Sequence, residues 1–297
     1  MLKRIAALLA ASFAVSVAAQ TPTLSRGSTN DEIVVQAVRP SEHQVRDFVR
    51  NLTAVPSYGQ IGRFHRPVCP AAMGLRDVQN GRIAERMRQV ATAAAIPLAR
   101  AGCAPNVFVI IAPDKSAAIT ELNRRFPAYF SQMSARHVRD LTQSPEPAAA
   151  WQVRGLLTQD GEEAAKAVGA DYYTIKGTQS PSRIKAVSKP TFTASVVVID
   201  VKAAAGLTLV QLADYAAMRT FADIDPARIT TVGVPTILTV LGQPDDKPLP
   251  VTLTYWDLGF LKSLYATDNS YLASYQRGDM ERLVKQEVER SGAAPKR

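Results

Sequence analysis

The sequence predicts an α+β fold, a single mixed domain, on three observations. Helical and strand-like hydrophobic patterns alternate along the first half of the chain in the order α, β, α, β, α. Two short apolar runs, Val107–Ile111 and Ser195–Val201, have the length of strands rather than helices. At 297 residues, 46% hydrophobic and 21% charged, the chain can bury one large core or two modest ones.

The elements follow in order. Lys3-Arg4, an apolar run from Ile5 to Val17 and the small residues Val17-Ala18-Ala19 make residues 1–19 a secretory signal, with cleavage between Ala19 and Gln20. That run is shorter than the roughly 20 residues a bilayer demands, so no transmembrane segment is expected after signal removal and the mature chain is expected to be periplasmic or secreted. Residues 20–40 form a flexible leader. Ser41 with Gln44 is a capping box for a first helix carrying Val45, Phe48, Val49 and Leu52, ending near Ala54. Phe64–Cys69 is extended, a second helix opens at Asn80 or Gly81 and stops at Pro97, and Val107–Ala112 is a buried strand. Asp114 caps a third helix bearing Ile119, Leu122 and Phe126. A short helix at Ala135–Leu141, strands at Ala150–Leu157, Tyr172–Lys176 and Ser195–Val201, a loop at Gly177–Lys189, and helices at Leu207–Ala222 and Gly278–Arg290 complete the pattern. The organisation expected is an N-terminal α/β subdomain over 41–160 and a C-terminal half over 161–297.

Charge and rare residues exclude several classes. Three His and two Cys cannot supply a zinc-finger array, a multi-haem protein or a four-thiolate iron–sulfur cluster. The formal charge of +9 becomes +7 once Lys3 and Arg4 leave with the signal. Residues 39 to 100 hold ten Arg against four acids, whereas residues 141 to 297 carry seventeen of each sign. On an exported chain the Arg-rich part from Arg63 to Arg100 suits an anionic envelope polymer or a membrane surface, and no nucleic acid partner is expected. A purely compositional origin competes, since Arg outnumbers Lys 24 to 11.

In an oxidising compartment Cys69 and Cys103 form a disulfide, stabilising by roughly 4 kcal/mol through loop entropy. The alternative, a nucleophilic Cys69 with His65 as base, fails on spacing. Extended i and i+4 residues lie about 13 Å apart, and Pro67 and Pro70 oppose a helix that would join them. Ser182-x-x-Lys185 lacks any supporting motif, and the paired acids Asp31-Glu32, Glu162-Glu163 and Asp245-Asp246 read as solvated turns or helix starts.

The segment Val196–Asp225, then Pro235-Thr236-Ile237-Leu238, then Leu253-Thr254-x-x-Asp257-x-x-x-Leu261-x-x-Leu264-Tyr265, resembles the catalytic half of a zincin metallopeptidase of the metzincin type. It is also similar to an uncharacterised family of exported proteobacterial zincin-like proteins. In that pattern an edge strand leads into a helix bearing H-E-x-x-H-x-x-G-x-x-H or D, a Met-containing turn follows, and a Leu-Thr-x-x-Asp helix closes the domain. The resemblance places Ala213 and Ala217 at the two zinc His, Asp214 at the Glu, Thr220 at the Gly, Asp223 at the third ligand and Ile237-Leu238 at the turn. A methyl group coordinates nothing, so no metal and no cofactor are expected, and the C-terminal half is expected to be a zincin-like scaffold without peptidase chemistry.

Within its own helix Asp214 falls in the middle of the stripe Leu207, Val210, Met218 and Phe221. A carboxylate there pairs with an Arg, faces a cleft left by the lost site, or acts as an acid or base. The leading expectation is a protein that acts by binding an unidentified ligand or another exported protein. One alternative is a hydrolase with a rearranged metal or carboxylate site around Asp214 and Asp223, completed by a His such as His137; another is a binder of anionic envelope polymer or membrane surface through the Arg-rich part.

Overall fold

The computed structural model describes residues 40–53, 55–166, 173–175, 180, 182–225, 228, 233–241 and 248–293. The signal, its cleavage point at Ala19 and Gln20, and all but the last residue of the leader lie outside the described residues, as do Tyr172, Lys176 and, of the expected loop Gly177–Lys189, residues 177–179 and 181.

Helices and a mixed sheet make one α+β domain. Helix α1 (Glu42–Leu52) starts at the expected capping box, with Gln44 N donating to Ser41 Oγ at 3.2 Å and Ser41 N to Gln44 Oε1 at 3.0 Å. Strand β1 (Pro70–Met73), helix α2 (Asp77–Ala93), strand β2 (Val107–Ala112) and helix α3 (Lys115–Arg125) follow. A 3₁₀ turn (Pro127–Phe130), helix α4 (Ala135–Gln143) and strand β3 (Ala148–Thr158) lead to a small hairpin of β4 (Ala165–Lys166) and β5 (Tyr173–Thr174). Strand β6 (Ser188–Asp200), helix α5 (Leu209–Phe221), a 3₁₀ turn (Ile237–Thr239), helix α6 (Tyr255–Ala266) and helix α7 (Ala273–Ala293) complete the chain.

The main sheet has the order β1-β2-β6-β3, parallel except for β3 at one edge. Pairings run Pro70↔Val107, Val107↔Ser195 and Trp151↔Val196. β6 is central because its run Val196–Ile199 is apolar on both faces, the signature of a strand covered from both sides. Alternation then divides the core. Val107, Val109, Ile111, Val197 and Ile199 enter the large cluster with α1, α2, α5, α6 and α7, while Val196, Val198 and Trp151 enter a smaller one with α3 and α4. The two parts expected at 41–160 and 161–297 therefore share one sheet, and α1 shares its core with α6 and α7 through Phe48 against Trp256 and Phe260.

Several boundaries move. α2 begins at Asp77, not at Asn80 or Gly81, because the Asn80 side chain serves the preceding loop, accepting from Leu75 N at 3.2 Å and donating to Leu75 O at 2.8 Å. It ends before Pro97 in a Schellman turn, with Ile96 N donating to Ala91 O and Ala95 N to Thr92 O, and Ala95 held at φ 56° where glycine is usual. β6 starts at Ser188 rather than Ser195. Pro190 is tolerated there because β2 joins β6 only from Ser195 onward. Phe126 caps the end of α3 and is 51% exposed instead of packing on its stripe.

Two local devices fix the β1–β2 edge. The expected Cys69–Cys103 disulfide is present and ties the start of β1 to the loop before β2. Gly74, just past β1, sits at φ +100°, and a Cβ there would meet Ile111 O at 1.9 Å.

Candidate functional site

Helix α5 is the place where the sequence points, and nearly all of it is inside. Residues Gln211 to Phe221 are all buried, because Ala213, Ala216 and Ala217 let α2 and the sheet approach closely. Ala213 and Ala217, at the positions of the zinc His in the pattern, are fully buried in the large core. Neither side chain has an atom that can donate a lone pair to a metal.

Asp214 is also fully buried, and every bond it makes is internal. Its Oδ1 accepts from Arg86 Nε at 2.8 Å; its Oδ2 accepts from Arg86 Nη2 at 3.1 Å, Thr252 Oγ1 at 2.7 Å and Leu253 N at 2.8 Å. Arg86 is 6% exposed. This is a bidentate guanidinium–carboxylate pair, the strong form of charge-assisted bonding. Asp214 is thus paired with an Arg, as one of its sequence readings had it, yet it lies at the centre of the α2–α5 contact and not at a helix edge. The partner had a signal in the sequence. Arg86 lies on the buried face of α2 with Ile83, Met87 and Val90, so two apolar stripes each carried one misplaced charge of opposite sign.

Asp223 is held elsewhere. Its carboxylate pairs with Arg154 on the edge strand β3. Each of the two acids has its own arginine, from different elements. His137 is exposed on α4, which packs with α3 on the opposite face of the sheet. Among the described residues, no three His, Cys, Asp or Glu side chains come together in a way that could hold a metal ion. The donor set therefore does not fit the metal of the resembled pattern.

The closing motif has a structural use at each letter. Leu253 supplies the N–H on Asp214, while Leu261 and Leu264 are buried in the core. Thr254 caps α6, and Asp257 is a fully buried carboxylate that reaches back to the turn before it. It accepts from Thr236 Oγ1 at 2.5 Å, Ile237 N at 2.8 Å and Thr254 N at 2.9 Å. Burial pushes Asp257 up to about 6, while its hydrogen bonds with Thr236, Ile237 and Thr254 pull the other way. Tyr265 donates its hydroxyl to Phe221 O at 2.9 Å, at the end of α5, and burial raises its pKa. Gln152 of β3 donates to Arg219 O and Ala222 O at 3.1 and 2.9 Å, satisfying further carbonyls of that helix end.

The Arg-rich segment divides into two sets. Arg86 holds Asp214, Arg63 donates to Leu264 O and Tyr265 O at the end of α6, and Arg88 donates to Ala99 O. These three are fasteners. Arg66, Arg76, Arg82 and Arg100 are exposed. His65 accompanies the fasteners: its Nε2 lies 3.1 Å from Asn269 Oδ1, its Nδ1 is buried without a partner, and burial followed by Arg63 lowers its pKa. Cys69 beside it is committed to the disulfide.

Among the described residues, no helix is long and apolar enough to cross a membrane. Comparison of the chain with protein-family models, with curated proteins and with solved structures finds no match.

Proposed function

We propose that this chain is an exported, disulfide-bonded protein in which a zincin-like frame acts by binding and not as a peptidase. The observation that carries the reading is the use of Asp214. The carboxylate standing at the position of the catalytic Glu is fully buried, out of reach of a substrate, and takes four hydrogen bonds from Arg86, Thr252 and Leu253. A general base must lie within hydrogen-bond reach of the proton it takes.

The frame itself is supported by the order of elements. The turn Ile237–Thr239 packs on α5 and is held by Asp257 of α6, as the pattern has it, whereas the strand leading into α5 is the central β6 with the edge strand β3 beside it, and α7 follows α6. Export is supported by the signal-like residues 1–19 and by the Cys69–Cys103 disulfide, which persists in oxidising compartments. The test is elemental analysis of the tag-free mature protein. Zinc is expected at well below one ion per chain. Stoichiometric, tightly held zinc that is lost on Asp214→Ala or Asp223→Ala substitution would overturn the reading.

A further inference from the structure

Half-buried His65 stands where the segment after α1 meets the link from α6 to α7. That link, residues 267–272, is tied down from two sides. From the segment after α1, Gln60 Nε2 donates to Asn269 O at 2.7 Å, and Gly59 O accepts from Ala273 N at 2.7 Å. From the start of β6 and the residues before it, Ala186 N donates to Ser270 O at 2.9 Å, and Ile184 O accepts from Leu272 N at 3.0 Å. Asn269, 1% exposed, joins the two sides, since its Nδ2 also donates to Pro190 O at 2.9 Å.

The other end of the Asn269 amide meets His65. Pro190 O can only accept, so Nδ2 of Asn269 faces it and Oδ1 is the atom 3.1 Å from His65 Nε2. Nε2 must therefore carry a proton and donate it, which fixes the neutral ring as the Nε2–H tautomer with its lone pair at Nδ1. Nδ1 is buried and has no hydrogen-bond partner among the described residues. A second proton has to enter there, inside the protein.

The charges around the ring oppose that proton. Arg63, two residues before His65, holds its guanidinium on Leu264 O and Tyr265 O, and Lys189 of β6 is a second cation acting on the ring. The neighbouring acids are engaged elsewhere, Asp268 with Lys185 and Ser270 N, and Glu163 with Arg66. Tyr265 gives its hydroxyl proton to Phe221 O, and burial raises its pKa. Burial first, then Arg63 and Lys189, hold the His65 pKa below its ordinary value, while the bond with Asn269 and a backbone contact with Arg63 offset part of this. An opened junction would hydrate the ring and return it to its ordinary value near 6.5. The stabilisation from the neutral ring is therefore full above about pH 6.5 and is lost as the pH falls below it.

We propose that His65 is an acid-sensitive latch: when neutral it donates to Asn269 and keeps the α6–α7 link closed on the segment 57–66 and on the start of β6, and in acid its protonation favours opening of that junction. On the exported chain proposed above, the surroundings supply the acid.

The test is hydrogen exchange of the full mature chain at about pH 7.5 and about pH 5, corrected for the intrinsic pH dependence of exchange, with NMR titration of the imidazoles alongside. Protection at Ala186, Leu272 and Ala273 should fall about tenfold between the two conditions, under the ceiling of about thirtyfold that one proton of ordinary pKa allows. Protection in α3, packed on the opposite face of the sheet, should change less than about twofold. In His65→Gln, whose amide can still donate to Asn269 but takes no proton, the fall should vanish. In the unaltered protein the His65 ring should show the Nε2–H tautomer and titrate below about 6.5. An equal fall in α3, a fall that persists in His65→Gln, or a His65 ring with its neutral proton on Nδ1 or with an ordinary or raised pKa would each overturn the proposal. The ring titration needs no variant, so it decides the matter even where His65→Gln fails to fold. None of these outcomes bears on the zinc-free reading, which zinc content tests separately.

Discussion

Two carboxylates, Asp214 on α5 and Asp257 on α6, are both fully buried, yet the protein holds them by different means. Asp214 has a guanidinium counter-ion in bidentate geometry, whereas Asp257 has only neutral donors from Thr236, Ile237 and Thr254. The first is an ion pair whose two charges depend on each other. The second is a lone charge stabilised by dipoles, and burial pushes its pKa up to about 6. Both bonds lock the same unit, since Asp214 reaches the residues that precede α6 and Asp257 reaches the turn that packs under α5.

The largest expected effect comes from breaking the pair. Asp214→Ala leaves Arg86 charged and buried, and should lower the unfolding free energy in urea by about 3–5 kcal/mol. A loss under 1 kcal/mol would show that the pair is not a fastener.

The next sharpens the contrast through pH. Asp257 titrates near 3.8 when unfolded and about 6 when folded, so the native state holds the extra proton between those values. Its contribution to stability is full below pH about 4 and is lost as the pH rises through about 6, a change on the order of 2–3 kcal/mol. In Asp257→Asn the decline from pH 4 to 6 should vanish, as read from urea midpoints at each pH. An unchanged slope would assign it to another group.

The smallest concerns the backbone. Ala95 at φ 56° occupies a left-handed position that costs an alanine about 1 kcal/mol relative to glycine. Ala95→Gly should raise the thermal midpoint slightly, by about 0.5–1 kcal/mol of stability, and a lowered midpoint would contradict the turn geometry.

These contrasts also show what the sequence made legible. The capping box of α1, the Asp114 cap of α3 and the Cys69–Cys103 bond depend on residues close in sequence or on the sole possible partner, and all are found where local chemistry places them. The start of β6 was hidden because Pro190 and Lys189 look like a loop until β3 is known to lie alongside. Asp214 stood out on its stripe, but Arg86 is 128 residues away, and only the packing of α2 on α5 joins them. Three residues of the Arg-rich run from Arg63 to Arg100 serve the fold, Arg63 at the end of α6, Arg86 on Asp214 and Arg88 on the loop carbonyl of Ala99.

The central claim is that Asp214 serves the fold. Replacing both members of its pair with apolar residues of similar size, Arg86→Met with Asp214→Leu, removes the charges together and leaves no buried ion alone. If the claim holds, urea unfolding of the double variant recovers more than half of the stability lost in Asp214→Ala. A double variant no more stable than that single variant would contradict it.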